Sequence, residues 1–333
     1  MTRAPALAGV FPVLPTPFDD TGAPDERSLR TLVDYLLACR VDGMTFPGVA
    51  SEVGQLKEDE RERLAALVLE RVAGRVPVIV GVSSADPALT SRLARSAVAK
   101  GAAALMVAAP ADRAGVPEQV AYFRAVSAAV PDTPLMLQNV PPPAGAGLDP
   151  RLVLEILQAV PGIAYVKEEA LPSGQRLTVL REHAPASLLA VFGGAGGRYI
   201  TDELRRGAAG TMPAIELAEV HVALFDAHRA GDERKVRELF TRMLPILNVQ
   251  AVFRWSLTKY VLHQRGLVAS VKLRTPGPLL DALDRADVDA FLSDIQDLLL
   301  PADALPQLER HPREGGDPVL PVAALAGSPP ARE

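Results

Sequence analysis

Short apolar runs alternate with longer amphipathic stretches along most of this 333-residue chain. The run Val76–Val82 is almost uninterrupted, which is typical of a strand buried on both faces. The first amphipathic stretch follows Asp25 and repeats its apolar residues at i, i+3, i+4 and i+7, which predicts a helix with one buried face. These apolar residues are Leu29, Leu32, Val33 and Leu36. The two patterns predict an alternation of strands and helices.

Eight strand-then-helix units follow one another, which predicts an α/β fold with a parallel sheet, a (β/α)8 TIM barrel. A doubly wound sheet would usually carry a G-x-G-x-x-G turn after its first strand, and this chain has none there. Three more helical stretches predict a C-terminal helical appendage: Glu233–Val249, Ala251–His263 and Asp287–Leu299. We expect the barrel over residues 1–230, the helical region over 231–300 and a disordered proline-rich tail over 301–333.

Composition narrows the classes of protein that fit this pattern. A net charge of -5, with no Lys/Arg run longer than a pair, argues against a nucleic-acid or anionic-membrane partner. The single cysteine, Cys39, excludes an internal disulfide framework, and the five scattered histidines offer no ligand spacing for a metal. No apolar stretch reaches the ~20 residues that span a membrane, and prolines interrupt the N-terminal apolar segment. We therefore expect a cytoplasmic protein.

The stretch Ala164–Glu169 carries the clearest candidate chemistry. Lys167 ends a short apolar run, where a parallel strand would stop. Desolvation there disfavours the charged ammonium, and a lysine amine that is partly neutral near pH 7 can attack a ketone to form a Schiff base. Residues i and i+2 of a strand share a face, so Glu169 would lie beside Lys167 and serve as a proton shuttle.

Other polar and glycine-rich segments follow other predicted strands. In barrel enzymes the C-terminal ends of the strands meet at the active site, so these segments should surround Lys167. Gly48–Glu52 follows the second strand, Gln138–Pro141 ends the fifth, and Gly193–Gly197 follows the seventh and opens a helix. The last of these is also a setting in which backbone N–H groups can hold a phosphate.

Taken together, these motifs resemble the family of dihydrodipicolinate synthase and N-acetylneuraminate lyase, over roughly residues 7–299. The shared motifs, in chain order, are the G-x-x-x-E loop Gly48–Glu52, N-V-P at Asn139–Pro141, V-K-E at Val166–Glu168, and Gly207–Gly210. The resemblance implies a pyruvate-type class I aldolase or dehydratase in which Lys167 forms the Schiff base. It also implies a homo-oligomer, commonly a tetramer built as a dimer of dimers, without a metal or organic cofactor.

Within that resemblance we assign two groups of candidate residues. The catalytic candidates are Lys167, Glu169 and Gln138. The substrate-binding candidates are Gly48, Val49, Ala50, Ser51, Glu52, Asn139, Gly193 and Gly194, and the backbone N–H groups of Ala50 and Ser51 are expected to hold a keto-acid carboxylate. Trp255 is expected to serve packing or a subunit contact.

The chain also departs from the family pattern. Members that make dihydrodipicolinate place two threonines where this chain has Val49 and Ala50, and a tyrosine where it has Gln138. A further tyrosine and an arginine of that pattern fall at Pro110 and Pro143. Because these residues move protons and hold the second substrate, their loss argues against dihydrodipicolinate synthesis.

We therefore predict a class I lyase acting on a 2-keto acid such as a 2-keto-3-deoxy sugar acid. Aldol cleavage and dehydration both start from the same imine, so the sequence leaves that choice open. Two alternatives stay open as well. One is a non-catalytic barrel that binds a keto acid or sugar acid, and the other is a metal-assisted or phosphate-binding barrel aldolase that forms no imine.

Overall fold

A computed structural model describes residues 6–113 and 115–306. Its eight strands form one parallel sheet in the order β1-β8-β7-β6-β5-β4-β3-β2. The strands are β1 Gly9–Val10, β2 Met44–Thr45, β3 Val78–Gly81, β4 Ala104–Ala108, β5 Leu135–Asn139, β6 Ile163–Glu168, β7 Ala190–Gly193 and β8 Gly210–Thr211. A parallel bridge between Val13 and Thr45 joins the segment after β1 to β2 and closes the ring. The predicted TIM barrel is confirmed.

Helices follow the strands and cover the outside of the barrel. They are α1 Glu26–Ala38, α2 Glu58–Val72, α3 Pro87–Ala99, α4 Val116–Ala129, α5 Pro150–Ala159, α6 Ser173–His183, α7 Ile200–Arg205 and α8 Ala218–Arg229. Several begin where the sequence offers a cap: the Asp25 carboxylate accepts from the N–H groups of Arg27 and Ser28, and Pro150 occupies the first position of α5. The outer apolar faces of the strands and the inner faces of these helices form the main core.

A second, smaller core fills the interior of the barrel. It includes Phe11, Met106, Met136, Tyr165, Phe192 and Met212. The Phe192 ring meets Phe11 edge-on at 5.6 Å between ring centroids and Tyr165 at 6.3 Å. Because side chains fill this interior, a ligand has room only at the ends of the strands.

The C-terminal appendage consists of α9 Glu233–Phe253, α10 Trp255–Gln264 and α11 Ala282–Asp294, and α9 packs against α8 and the two other helices. The predicted break near residue 250 is wrong, because the Gln250 carbonyl still accepts the helical N–H of Arg254. The break lies at Arg254, whose φ of 43° and ψ of -110° interrupt the helix.

The predicted bounds of the last helix are also wrong, since it begins five residues earlier than Asp287. Asp281 accepts from the N–H groups of Leu283 and Asp284, and Asp284 accepts in return from the N–H of Asp281. This capping box fixes the start of α11.

The beginning of the predicted tail is ordered against the barrel. Leu305 belongs to the main core, and residues 307–333 of the predicted tail lie outside the described residues. Among the helices of the described residues, none has the length and apolar character needed to cross a membrane.

Candidate active site

Lys167 lies at the C-terminal end of β6 and faces the barrel interior. It shares its face of the strand with Tyr165, which belongs to the interior core, whereas Val166 belongs to the outer core. Its neighbours across the sheet are Gln138 on β5 and Phe192 on β7. The residue is only 4% exposed, so its amine is largely removed from water.

Glu169 stands beside the lysine, as the alternation along the strand suggests. The Lys167 Nζ lies 3.2 Å from Glu169 Oε1. The Gln138 amide donates to Glu169 Oε2 at 2.6 Å, and the Ala195 backbone N–H donates to Oε1 at 3.1 Å. Burial by itself would raise the pKa of Glu169, but Lys167 and these two donors outweigh it and lower that pKa below its ordinary value. The carboxylate is therefore ionised at neutral pH.

Gly193, the last residue of β7, and Gly194, which follows it, allow carboxylates to approach the strand end closely. A Cβ on Gly194 would lie 2.6 Å from Glu169 Cγ, and a Cβ on Gly193 would lie 1.8 Å from an oxygen of the buried Glu203. Of the glycine-rich segment, Ala195 and Gly196 line the pocket beside Lys167. Gly193 thus makes space for the buried Glu203 carboxylate, and Gly194 makes space for the Glu169 carboxylate that lines the pocket.

The loop after β2 presents two of its residues to the pocket and turns two away. Val49 and Ala50 line the pocket. The Ser51 hydroxyl accepts the Gly48 N–H at 2.8 Å and donates to the Leu14 carbonyl, so it holds the loop in shape. The side chain of Ser51 is fully buried in doing so.

Glu52 serves the attachment of the C-terminal region. Its carboxylate pairs with Lys259 Nζ at 2.7 Å and accepts the backbone N–H groups of Arg274 and Thr275 at 2.8 and 2.6 Å. Both side chains of the ion pair are buried. Burial lowers the pKa of Lys259 to about 8, although Glu52 opposes that shift. Glu52 and Ser51 are not among the residues that line the pocket.

Asn139 holds the loop that follows β5. Its amide donates to the Leu148 carbonyl and to Glu168 Oε2, each at 2.9 Å, and its Oδ1 accepts the Leu148 N–H at 2.8 Å. Glu168 in turn lies 3.2 Å from Arg176 Nε on α6. Burial raises the pKa of Glu168, against the opposing effects of Asn139 and Arg176. Asn139 and Glu168 therefore stabilise the ends of β5 and β6 on the outer face of the barrel, whereas Gln138 and Lys167 are neighbours on the inner face.

The pocket over Lys167 opens to solvent and has a cavity volume of about 90 Å³. The barrel and the loops after its strands contribute Val13, Val49, Ala50, Val140, Lys167, Glu169, Ala195, Gly196, Arg198, Met212, Pro213 and Ala214. The appendage contributes Gln250, Arg254, Trp255 and Thr258. Sequence reasoning missed Arg198 and the appendage residues as pocket residues, because helical periodicity does not show where a C-terminal helix folds back.

Trp255 connects the two halves of the pocket. Its indole N–H donates to the Val49 carbonyl at 2.9 Å, across 206 positions of sequence. The residue was expected to serve packing or a subunit contact, and the structure also places it in the lining of the pocket. The loop after β2 and the junction between α9 and α10 are therefore joined directly.

Comparison with known proteins gives concordant results. The profile of the Dihydrodipicolinate synthetase family matches residues 6–295. The chain is 35% identical to the 4-hydroxy-tetrahydrodipicolinate synthase of Thermomicrobium roseum, over 72% of this chain and 78% of that protein. It is 29% identical to the L-2-keto-3-deoxyarabonate dehydratase of Azospirillum brasilense, over 90% of this chain and 98% of that protein. The solved dihydrodipicolinate synthase of Rhodopseudomonas palustris has a TM-score of 0.80 at 32% identity, covering 86% of this chain and 97% of its own.

Proposed function

We propose that this chain, which belongs to the dihydrodipicolinate synthetase family and is therefore a lyase, forms a Schiff base with a 2-keto acid such as a 2-keto-3-deoxy sugar acid. The observation that carries the proposal is the pair of Lys167 and Glu169, 3.2 Å apart at the closed end of the pocket. A nucleophilic lysine needs a base within hydrogen-bond reach, and the ionised Glu169 supplies one.

The proposed reaction uses the pair in two stages. Glu169 takes a proton from the Lys167 ammonium, and the free amine attacks the C2 carbonyl of the substrate. The carbinolamine loses water to give an iminium, which withdraws electrons from C3. For dehydration, Glu169 removes a C3 proton, and the resulting enamine expels the C4 hydroxyl, which takes that proton back from Glu169 and leaves as water. For aldol cleavage, the C4 hydroxyl loses its proton as the C3–C4 bond breaks.

Glu169 is the residue we assign to these proton transfers. Glu52, a substrate-binding candidate from the sequence, is occupied by Lys259 and two backbone N–H groups. Gln138 donates to Glu169 and holds its carboxylate beside the lysine. For the substrate carboxylate we assign the Ala50 N–H, because the Ser51 N–H already donates to the Gly48 carbonyl at 2.9 Å.

A sugar acid fits this pocket better than the substrates of dihydrodipicolinate synthesis. Thr258 is the only hydroxyl-bearing residue among the described residues that line the pocket, so a hydroxyl relay of threonines and tyrosine has no counterpart there. The similarity to the Azospirillum dehydratase extends over nearly the full length of that protein. We also propose that the protein assembles as a homo-oligomer, a dimer of dimers.

Trapping with borohydride tests the proposal. The protein is incubated with pyruvate and with 2-keto-3-deoxy sugar acids, reduced, digested and examined by peptide mass spectrometry. We expect an adduct on Lys167 that is absent from Lys167→Arg, while the exposed Lys57→Arg serves as the matched control and retains it. Turnover without any trapped adduct would instead support a barrel aldolase that forms no imine. Binding of these acids without adduct or turnover would support a non-catalytic barrel.

A further inference from the structure

Two arginines, Arg198 and Arg254, are among the residues that line the pocket over Lys167. Arg198 follows the glycine-rich segment, and its Nη1 donates to the Gln250 side-chain oxygen. Arg254 lies at the junction of α9 and α10, where its guanidinium covers the Trp255 ring at 4.7 Å from the centroid. Each group is thus held by a neutral side chain.

Neither arginine forms an ion pair with a described carboxylate, although Glu216 is near enough to Arg198, and Glu169 to Arg254, for their charges to interact. Among the described residues, no carboxylate oxygen lies within the 4.0 Å limit of an ion pair with Arg198 or Arg254. By contrast, Arg176 is paired with Glu168 and Arg265 with Glu219. Burial and the nearby charge of Arg198 lower the pKa of Arg254, and Glu169 opposes this. An anion placed between the two guanidinium groups would relieve their repulsion.

The backbone at Arg254 adds an independent observation. Its φ of 43° and ψ of -110° lie in a region that glycine adopts readily and that L residues rarely adopt. Strained positions of this kind concentrate at functional sites, where the surrounding structure holds them. Glycine would adopt this backbone conformation with less strain. The arginine at this position therefore indicates that its side chain has a role.

The charges that line the pocket indicate which ligand would neutralise it. Lys167, Arg198 and Arg254 are positive and Glu169 is negative, which gives a net charge of +3 − 1 = +2 for the lining residues. Transfer of the lysine proton to Glu169 leaves this sum unchanged. A 2-keto acid with a single carboxylate neutralises only half of it, whereas a 2-keto diacid neutralises all of it.

We propose that Arg198 and Arg254 form a second anion subsite, and that the substrate is a 2-keto-3-deoxy sugar diacid whose terminal carboxylate binds there. The planar guanidinium groups match a carboxylate through paired N–H donors. The first carboxylate is assigned to the Ala50 N–H, and the two guanidinium groups are assigned to the second carboxylate. This inference rests on the proposed function, because it concerns the same pocket.

The test compares keto acids of equal length that differ only at the far end. The half-saturating concentration for borohydride trapping is measured for 2-oxoglutarate against 2-oxopentanoate, and for 2-oxoadipate against 2-oxohexanoate. For at least one of the two pairs, we expect the half-saturating concentration of the diacid to be at least tenfold lower than that of the matched monoacid. In Arg198→Gln and Arg254→Gly this ratio should fall towards one, and the exposed Arg205→Gln serves as the control that retains it.

The outcomes separate the two proposals. Absence of any adduct at Lys167 with all four acids, with pyruvate and with 2-keto-3-deoxy sugar acids would overturn the Schiff-base function. Adducts with equal saturation by diacids and monoacids would overturn the second subsite alone. A preference for a 2-keto-3-deoxy acid phosphate over the matched diacid would also overturn the second subsite. The same holds if Arg254→Gly changes the oligomeric state but leaves the ratio of diacid to monoacid saturation unchanged. Arg254→Gly should fold at least as well as the parent, so its result is not obscured by unfolding.

Discussion

Glu216 should weaken the fold at neutral pH, and replacing it by glutamine should reveal how much. The residue is 2% exposed, and its Oε2 accepts the Thr258 hydroxyl at 3.1 Å. Burial raises its pKa to about 7 from an ordinary 4.5, against the opposing effects of a backbone N–H, Thr258 and Arg198. Glutamine keeps the volume and the oxygen that accepts the hydroxyl, and removes only the ionisation.

The sign and size of the effect follow from linkage. Between pH 4.5 and 7 the folded protein holds a proton on Glu216 that the unfolded chain has lost, so stability falls as pH rises through this window. Above pH 7 the full penalty applies, and it lowers the free energy of unfolding by about 3 kcal/mol. This follows because each tenfold change in proton affinity between pKa 4.5 and 7 is worth about 1.4 kcal/mol. Below pH 4.5 both states are protonated and the penalty disappears.

Urea denaturation of the wild type and of Glu216→Gln at pH 4.5, 6, 7 and 8 measures the effect. We expect the variant to gain stability over the wild type as the pH rises, by about 3 kcal/mol between the extremes. Glu155→Gln, at an exposed position, should show no such trend. A difference between wild type and Glu216→Gln that does not change with pH would refute the assignment of a buried, neutral carboxyl.

Two further predictions concern residues around the pocket. Lys259→Met should destabilise the fold by about 3–5 kcal/mol, because it leaves the buried Glu52 carboxylate without its cation; a loss below about 1 kcal/mol in urea denaturation would contradict this. Gly194→Ala should lower kcat at least about tenfold, since its Cβ would lie 2.6 Å from Glu169 Cγ and displace the carboxylate. Circular dichroism should show a retained fold, and Gly277→Ala, where a Cβ meets no atom within 4 Å, should keep full turnover.

The sequence was sufficient to place the strand ends and the residues that share them. Once the alternation predicts a parallel barrel, Gln138 and Lys167 must lie at the same rim, and they are direct neighbours across β5 and β6. The alternation of faces along β6 also separates Glu169, which meets the lysine, from Glu168, which binds Arg176 outside. These relations are local or follow from the symmetry of the fold.

Other features depended on contacts that no local pattern encodes. The orientation of Glu52 is set by Lys259, 207 positions further along the chain. Arg254 interrupts a helical pattern without a glycine or proline to mark the place, so the break was assigned to the wrong residue. Its side chain enters the pocket only because α9 and α10 fold back over the strand ends.

The bond between the Trp255 indole and the Val49 carbonyl has a consequence for how this protein acquires new specificities. The lysine and its carboxylate lie on the barrel, whereas four of the other lining residues, Gln250, Arg254, Trp255 and Thr258, lie around the junction of α9 and α10. Substitutions at that junction alter what enters while sparing the reacting groups. A few substitutions within residues 250–258 are therefore enough to change substrate specificity during evolution. A protein engineer can use the same route by exchanging this segment between relatives.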